Sequence, residues 1–205
     1  MTARPSYDEV IQVPRALRFP AELLPPEGFD AERMETWPSV VGRLEFVDGR
    51  LLYMPPCSDL QQMTVTDVVI TLGAWVRQRS GFLLGTNEAG MRLGGATRAA
   101  DAAVWRRGDV GPFVGRLMRA PPVLAVEVAG PASEEPESEL RAKARWYLNH
   151  GVAVVWLVLP ETREVIVMTG AGESRCRSGE ALPATAELPG LAPSVEDLFR
   201  QLLQG

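Results

Sequence analysis

Residues 43–54, RLEFVDGRLLYM, place apolar side chains on both sides of an Asp48–Gly49 pair. Two apolar-rich runs split by Asp-Gly predict a hairpin with a tight two-residue turn. Glu45 lies on its first strand, where Leu44, Phe46 and Leu52 supply the apolar contacts. Pro55–Pro56 ends that pattern. From 59 to 79 the period changes to a helical one, with Met63, Val65, Val68, Val69, Leu72, Trp75 and Val76 on one side, Asp59 as N-cap and Gly81 after the end. Residues 82–107 predict two or three strands around a Gly94–Gly95 turn. Residues 109–120 predict a loop with a short helix through 113–118. PVLAVEV over 122–128 is a short, continuous apolar run, the pattern of a buried strand. A helix follows over about 137–149 and stops at Asn149-His150-Gly151. VAVVWLVLPETREVIVMTG then predicts two apolar strands joined through 160–163, and Ser194 caps a final amphipathic helix.

The order is hairpin, helix, strands, helix, strands, helix, without an internal repeat. It predicts one mixed α/β domain around a central sheet. The proline-rich, acidic segment 1–40 reads as an N-terminal arm packed on a domain covering 41–205, with a short helix over 29–35 entered at Asp30. A length of 205 residues suffices for one domain with a real core. No apolar run is long enough to cross a bilayer, and MTARPSYDEV lacks the apolar stretch of a signal peptide. Two cysteines, Cys57 and Cys176, provide neither a disulfide framework nor a CxxC metal pair. A reducing cytoplasm is the expected compartment, with no membrane partner. The net charge of −5 argues against a broad basic surface that coats nucleic acid, though not against a local basic groove.

Three residues attract chemistry. Glu127 is a carboxylate inside an apolar run, and burying one is costly unless it is paired or holds a metal. Asp101 opens a second apolar run in ATRAADAAVWRR. Lys143, on the helix of SELRAKARWYLNHG, is the single lysine among 21 basic residues. A lysine offers a compact ammonium, which arginine does not. Two strand carboxylates and the backbone carbonyl of Val128 suit a hard divalent ion such as Mg²⁺. Glu45 would complete a second metal position or orient a metal-bound water. A nearby ammonium would offset charge as a phosphodiester is hydrolysed. Carboxylates at strand ends are also commonly solvated or paired with arginine, so spacing by itself leaves a scaffold role open. Trp75, Trp146 and Trp156 read as packing residues rather than platforms for bases.

On these same residues the chain resembles the PD-(D/E)XK nuclease superfamily, and within it the bacterial restriction-endonuclease-like family called Uma-two. The matching stretches are RLEFVDGRLLYMPP, RLGGATRAADAAVWRR, LAVEVAGPAS, ELRAKARWYLNHGVAVVWLVLPETREVIV and ELPGLAPSVEDLF, in family order over about residues 40–199. The resemblance implies a restriction-endonuclease-like core, a mixed sheet flanked by helices. It implies that Asp101 and Glu127 are the motif acidic residues and metal ligands, with Mg²⁺ or Mn²⁺ as cofactor, and that Glu45 matches the family's acidic residue in the first hairpin. The position two residues after the glutamate is Ala129, and the family's lysine falls instead on the following helix, at Lys143. Tyr147, one turn later, is a further candidate. There are departures: Ala100 replaces the motif proline, Gly130–Pro131 stands for Ser-Pro, and the loop Cys57–Gln62 lacks a histidine found in relatives. The implied activity is metal-dependent endonucleolytic cleavage of nucleic acid, DNA before RNA. The alternative is a binding module on a nuclease fold without turnover. Cutting both strands of a duplex commonly uses paired sites, so a homodimer is an expected arrangement that the sequence itself does not show.

Overall fold

In the computed structural model, which describes residues 19–113, 117–133 and 135–203, nine strands form one mixed sheet. They are β1 (Ala21–Leu23), β2 (Arg43–Val47), β3 (Arg50–Met54), β4 (Phe82–Leu93), β5 (Ala96–Arg106), β6 (Leu124–Val128), β7 (Val154–Leu159), β8 (Glu164–Thr169) and β9 (Gly172–Cys176). Their order is β1-β3-β2-β5-β6-β7-β8-β9, with β4 also paired to β5. The helices are α1 (Asp59–Arg77) and α2 (Glu137–Asn149). All pairings are antiparallel except β6 with β7. A parallel pair needs a crossover, and α2 supplies it.

Every residue of β6 and β7 is buried. This is the reason their sequences run apolar instead of alternating: a parallel pair is covered on both faces. On one face Val68, Leu72 and Trp75 of α1 pack with Ala102, Val104, Leu124, Val126, Trp156 and Val167. On the other, Leu140, Ala144 and Tyr147 of α2 pack with Ala103, Ala125, Val155, Leu157 and Ile166. Burial of Trp75 and Trp156 bears out the packing reading.

Several local expectations need correction. Of the two or three strands expected over 82–107, two form, and both are long. A bulge between Thr86 and Ala89, with Asn87 and Glu88 at positive φ, lets β4 absorb two unpaired residues and resume pairing. Ser58, not Asp59, caps α1: its hydroxyl accepts from the Gln61 N–H, and the Gln61 side chain accepts from the Ser58 N–H. The segment after Ser194 forms two 3-10 helices, Val195–Leu198 and Arg200–Leu203, not one α-helix. Within 29–35 only turns and a 3-10 helix at Met34–Thr36 form. The short helix expected over 113–118 falls partly on residues 114–116, outside the described residues. Met63, one of the apolar residues at helical spacing, is exposed on α1.

One feature of the sheet creates the site. β4 pairs with β5 along one edge from end to end of β5, interrupted only by the bulge opposite Asp101. The opposite edge is shared: β2 pairs at Thr97, and β6 pairs at residues 102–104. Between these two strands lies a fork at Arg98–Asp101, where neither neighbour completes the ladder.

Candidate active site

Backbone groups left unpaired at such a fork must find side-chain partners. The Ala99 N–H donates to Glu45 Oε1 at 3.3 Å, and the Ala99 carbonyl accepts from Lys143 Nζ at 3.2 Å. Glu45 comes from β2, whose neighbour Phe46 pairs with Thr97, so the carboxylate is drawn into the fork. Asp101 sits one position before the β5–β6 ladder, and its Oδ2 accepts from the Val128 N–H at 2.7 Å. Lys143 and Tyr147 come down from α2, one turn apart. Nζ lies 2.9 Å from both Glu45 Oε1 and Glu127 Oε2, and the Tyr147 hydroxyl donates to Glu127 Oε1 at 2.7 Å. The structure therefore brings together Glu45, Asp101, Glu127, Val128, Lys143 and Tyr147. Glu45 is buried rather than exposed on its hairpin, and Lys143 is buried rather than on a solvated helix face.

The sequence reading missed four neighbours. Arg43 Nη1 is 3.5 Å from Asp101 Oδ1, and its Nε is 3.9 Å from Glu45 Oε1. Arg98 Nη1 donates to Glu45 Oε2 at 2.8 Å, with its guanidinium over the Trp146 ring. Gln61 Nε2 donates to the Val128 carbonyl at 3.0 Å. Glu135 Oε2 accepts from the Gly130 N–H at 2.9 Å. Arg43 stands two residues before Glu45 and so shares its face of β2, which was the one available signal. The other three meet the site only through tertiary contacts.

Four carboxylates (Glu45, Asp101, Glu127, Glu135) thus face three cations (Arg43, Arg98, Lys143). Burial would raise the Glu45 pKa, but Lys143, Arg43 and Arg98 together hold it below the ordinary range. Burial pushes Asp101 up, against the pull of Arg43 and the Val128 N–H. Burial also pushes Glu127 up, and Asp101 and Glu45 add to this while Lys143 opposes it. Glu135 is raised by the same cause. Tyr147 lies well above its usual value through burial and the adjacent Glu127, so its phenol stays protonated. Burial works against the charge on Arg43, but Glu127, Asp101 and Glu45 keep it cationic.

Among the described residues no group of three or more His, Cys, Asp or Glu side chains forms a ready cation cage. The chemistry of the donor set nevertheless suits a hard divalent ion: two carboxylates and a carbonyl on adjacent strands, and one carboxylate more than the cations balance. Asp101 Oδ1 is held only at 3.5 Å by Arg43 and is the least engaged of these oxygens. Both Glu127 oxygens and the Val128 carbonyl already accept hydrogen bonds, so a bound ion would have to share or displace these donors.

Fold and site define a restriction-endonuclease-like α/β protein, a mixed sheet flanked by helices with an acid–lysine cluster at a strand fork. The family model Uma2, described as "Putative restriction endonuclease", matches residues 31–198. The chain belongs to this family. A solved structure described as "a putative nuclease belonging to DUF820", from Anabaena variabilis, shares the fold with a TM-score of 0.71 at 17% identity, covering 82% of this chain and 96% of that one. No curated protein matches.

Proposed function

We propose that the protein is a divalent-cation-dependent nuclease that hydrolyses phosphodiester bonds in DNA. The carrying observation is the convergence of Asp101, Glu127 and Lys143, from β5, β6 and α2, on one fork of the sheet. Asp101, Glu127 and the Val128 carbonyl would hold Mg²⁺ or Mn²⁺, which when bound supplies positive charge at the phosphoryl oxygens and acidifies water.

The remaining residues act by placement and charge. Lys143 donates hydrogen bonds to Glu127 and the Ala99 carbonyl and forms an ion pair with Glu45. Lys143 contributes its field, opposing the burial that raises Glu127 and favouring negative charge developing nearby. Glu45, with both oxygens engaged, is a positioning residue for Lys143. Tyr147 fixes the rotamer of Glu127. The same complete pairing of Glu127 and Glu45 favours a second reading, a binding module that does not cut.

The test is nicking of supercoiled plasmid with Mn²⁺ by wild type and by Asp101→Ala purified in parallel. Wild type nicks, and the variant loses at least about 100-fold, the scale on which electrostatic stabilisers act. Equal nicking by both assigns the activity to a contaminant or to another site. No nicking by wild type on plasmid or single-stranded DNA favours the binding module.

A further inference from the structure

The cluster has a closed floor and a solvent-facing rim. Glu45, Glu127 and Tyr147 are at most 2% exposed, whereas the side chains of Arg43 and Asp101 keep 15% and 18%. A nucleic acid reaching the fork meets the rim first. Two arginines stand there, and they are held differently. Arg98 is fixed by a 2.8 Å bond to Glu45 and by Trp146 beneath it. The buried Nε of each arginine has no hydrogen-bond partner, but Arg43 has in addition only long contacts, 3.5 Å to Asp101 and 3.9 Å to Glu45.

Of the carboxylate oxygens around Arg43, only Asp101 Oδ1 depends on it, at 3.5 Å. Glu45 is bound by Arg98 and Lys143, Glu127 by Lys143 and Tyr147, and Asp101 by the Val128 N–H at 2.7 Å. Arg43 is therefore the most loosely held cation of the cluster, a charged fork of five donors with unfilled capacity. An unfilled buried donor is costly, and a guanidinium is the side chain best shaped to take two oxygens of a phosphate.

We propose that Arg43 receives a backbone phosphate of the nucleic-acid substrate and in doing so leaves the Asp101 oxygen it now covers. This rests on the nuclease reading above. It makes phosphate binding and divalent-cation binding mutually supportive, because the same movement that fills the guanidinium uncovers a metal-ligating oxygen.

The test compares wild type, Arg43→Met and Arg43→Lys, each checked for a cooperative melt. A fluorescein-labelled DNA duplex is titrated in EDTA at several salt concentrations, and Mn²⁺ alone is titrated by the electron paramagnetic resonance of the free ion. Arg43→Met binds the duplex roughly 10-fold more weakly, and its salt slope falls by about one ion, as for a lost phosphate contact. Arg43→Lys recovers the slope and part of the affinity. Mn²⁺ alone binds Arg43→Met several-fold more tightly than wild type. Unchanged duplex affinity and slope in a folded Arg43→Met overturn the proposal and leave the nuclease reading standing. So does weakened Mn²⁺ binding, which would make Arg43 a support for Asp101. Absence of duplex binding by wild type overturns both.

Discussion

Lys143→Met is the most informative perturbation of the cluster. It keeps the length and apolar stem of the side chain, so the packing of α2 changes little. What disappears is an ammonium held between two carboxylates that are each about 2% exposed. Removing one partner of a buried ion pair costs about 3–5 kcal/mol, because the other charge is left without compensation. On a urea slope of about 2.5 kcal/mol/M, a loss of about 4 kcal/mol lowers the midpoint by about 1.5 M.

The penalty depends on pH, and its sign follows from linkage. Glu127 already has a raised pKa through burial, and losing Lys143 raises it further. Glu45 is held low by Lys143, Arg43 and Arg98 against burial, and loses the first of these. A carboxyl group whose folded pKa exceeds its unfolded value binds more protons when folded. Its destabilising effect is therefore absent in acid and grows as pH rises through the raised value. The stability gap between wild type and Lys143→Met is widest at pH 7–8 and narrows towards pH 5, while carboxylates elsewhere cancel in the difference. Urea unfolding at both pH values measures this. A gap under about 1 kcal/mol at pH 8, or one independent of pH, would refute the account of Lys143 as the charge that keeps Glu127 and Glu45 buried.

Two further outcomes follow from the same contacts. Tyr147→Phe removes the 2.7 Å bond to Glu127 and costs about 1.5–3 kcal/mol in thermal or chemical unfolding, the range for a hydrogen bond to a charged group. Burial-raised Glu127 then titrates higher still, so the acid limb of any pH–rate profile moves to higher pH. Gln61→Ala breaks the capping box with Ser58 and frees the Val128 carbonyl, lowering stability by about 1 kcal/mol in urea unfolding.

How far the chain could be read from its residues depended on the range of the physics involved. Turns at Asp48–Gly49 and Gly94–Gly95 and the stop at His150–Gly151 are set locally, by residues that tolerate positive φ, and they lie where the residues placed them. The chemistry of Asp101, Glu127 and Lys143 was visible as charge inside apolar or helical patterns. The bulge at Asn87–Glu88 was not, because the two residues left unpaired are set by register with β5 and not by anything within 82–90. The burial of Glu45 was hidden for the same reason: nothing within its hairpin announces that Ala99 and Lys143 will meet it. Arg43, Arg98, Gln61 and Glu135 are ordinary polar residues until the sheet forks.

The crossover helix supplies the cluster's ammonium. Ala129 stands where a lysine two residues beyond the strand glutamate would share its face, yet the ammonium arrives from α2, sixteen positions along. Its place is guaranteed by helix-on-sheet packing through Leu140, Ala144 and Tyr147, not by strand register. Chain position and spatial position are thus uncoupled: the ammonium rides on the helix that crosses the parallel pair, not on the strand that bears Glu127. The distance that matters is therefore the 2.9 Å from Nζ to Glu127 across the fork, not a count of residues along the chain.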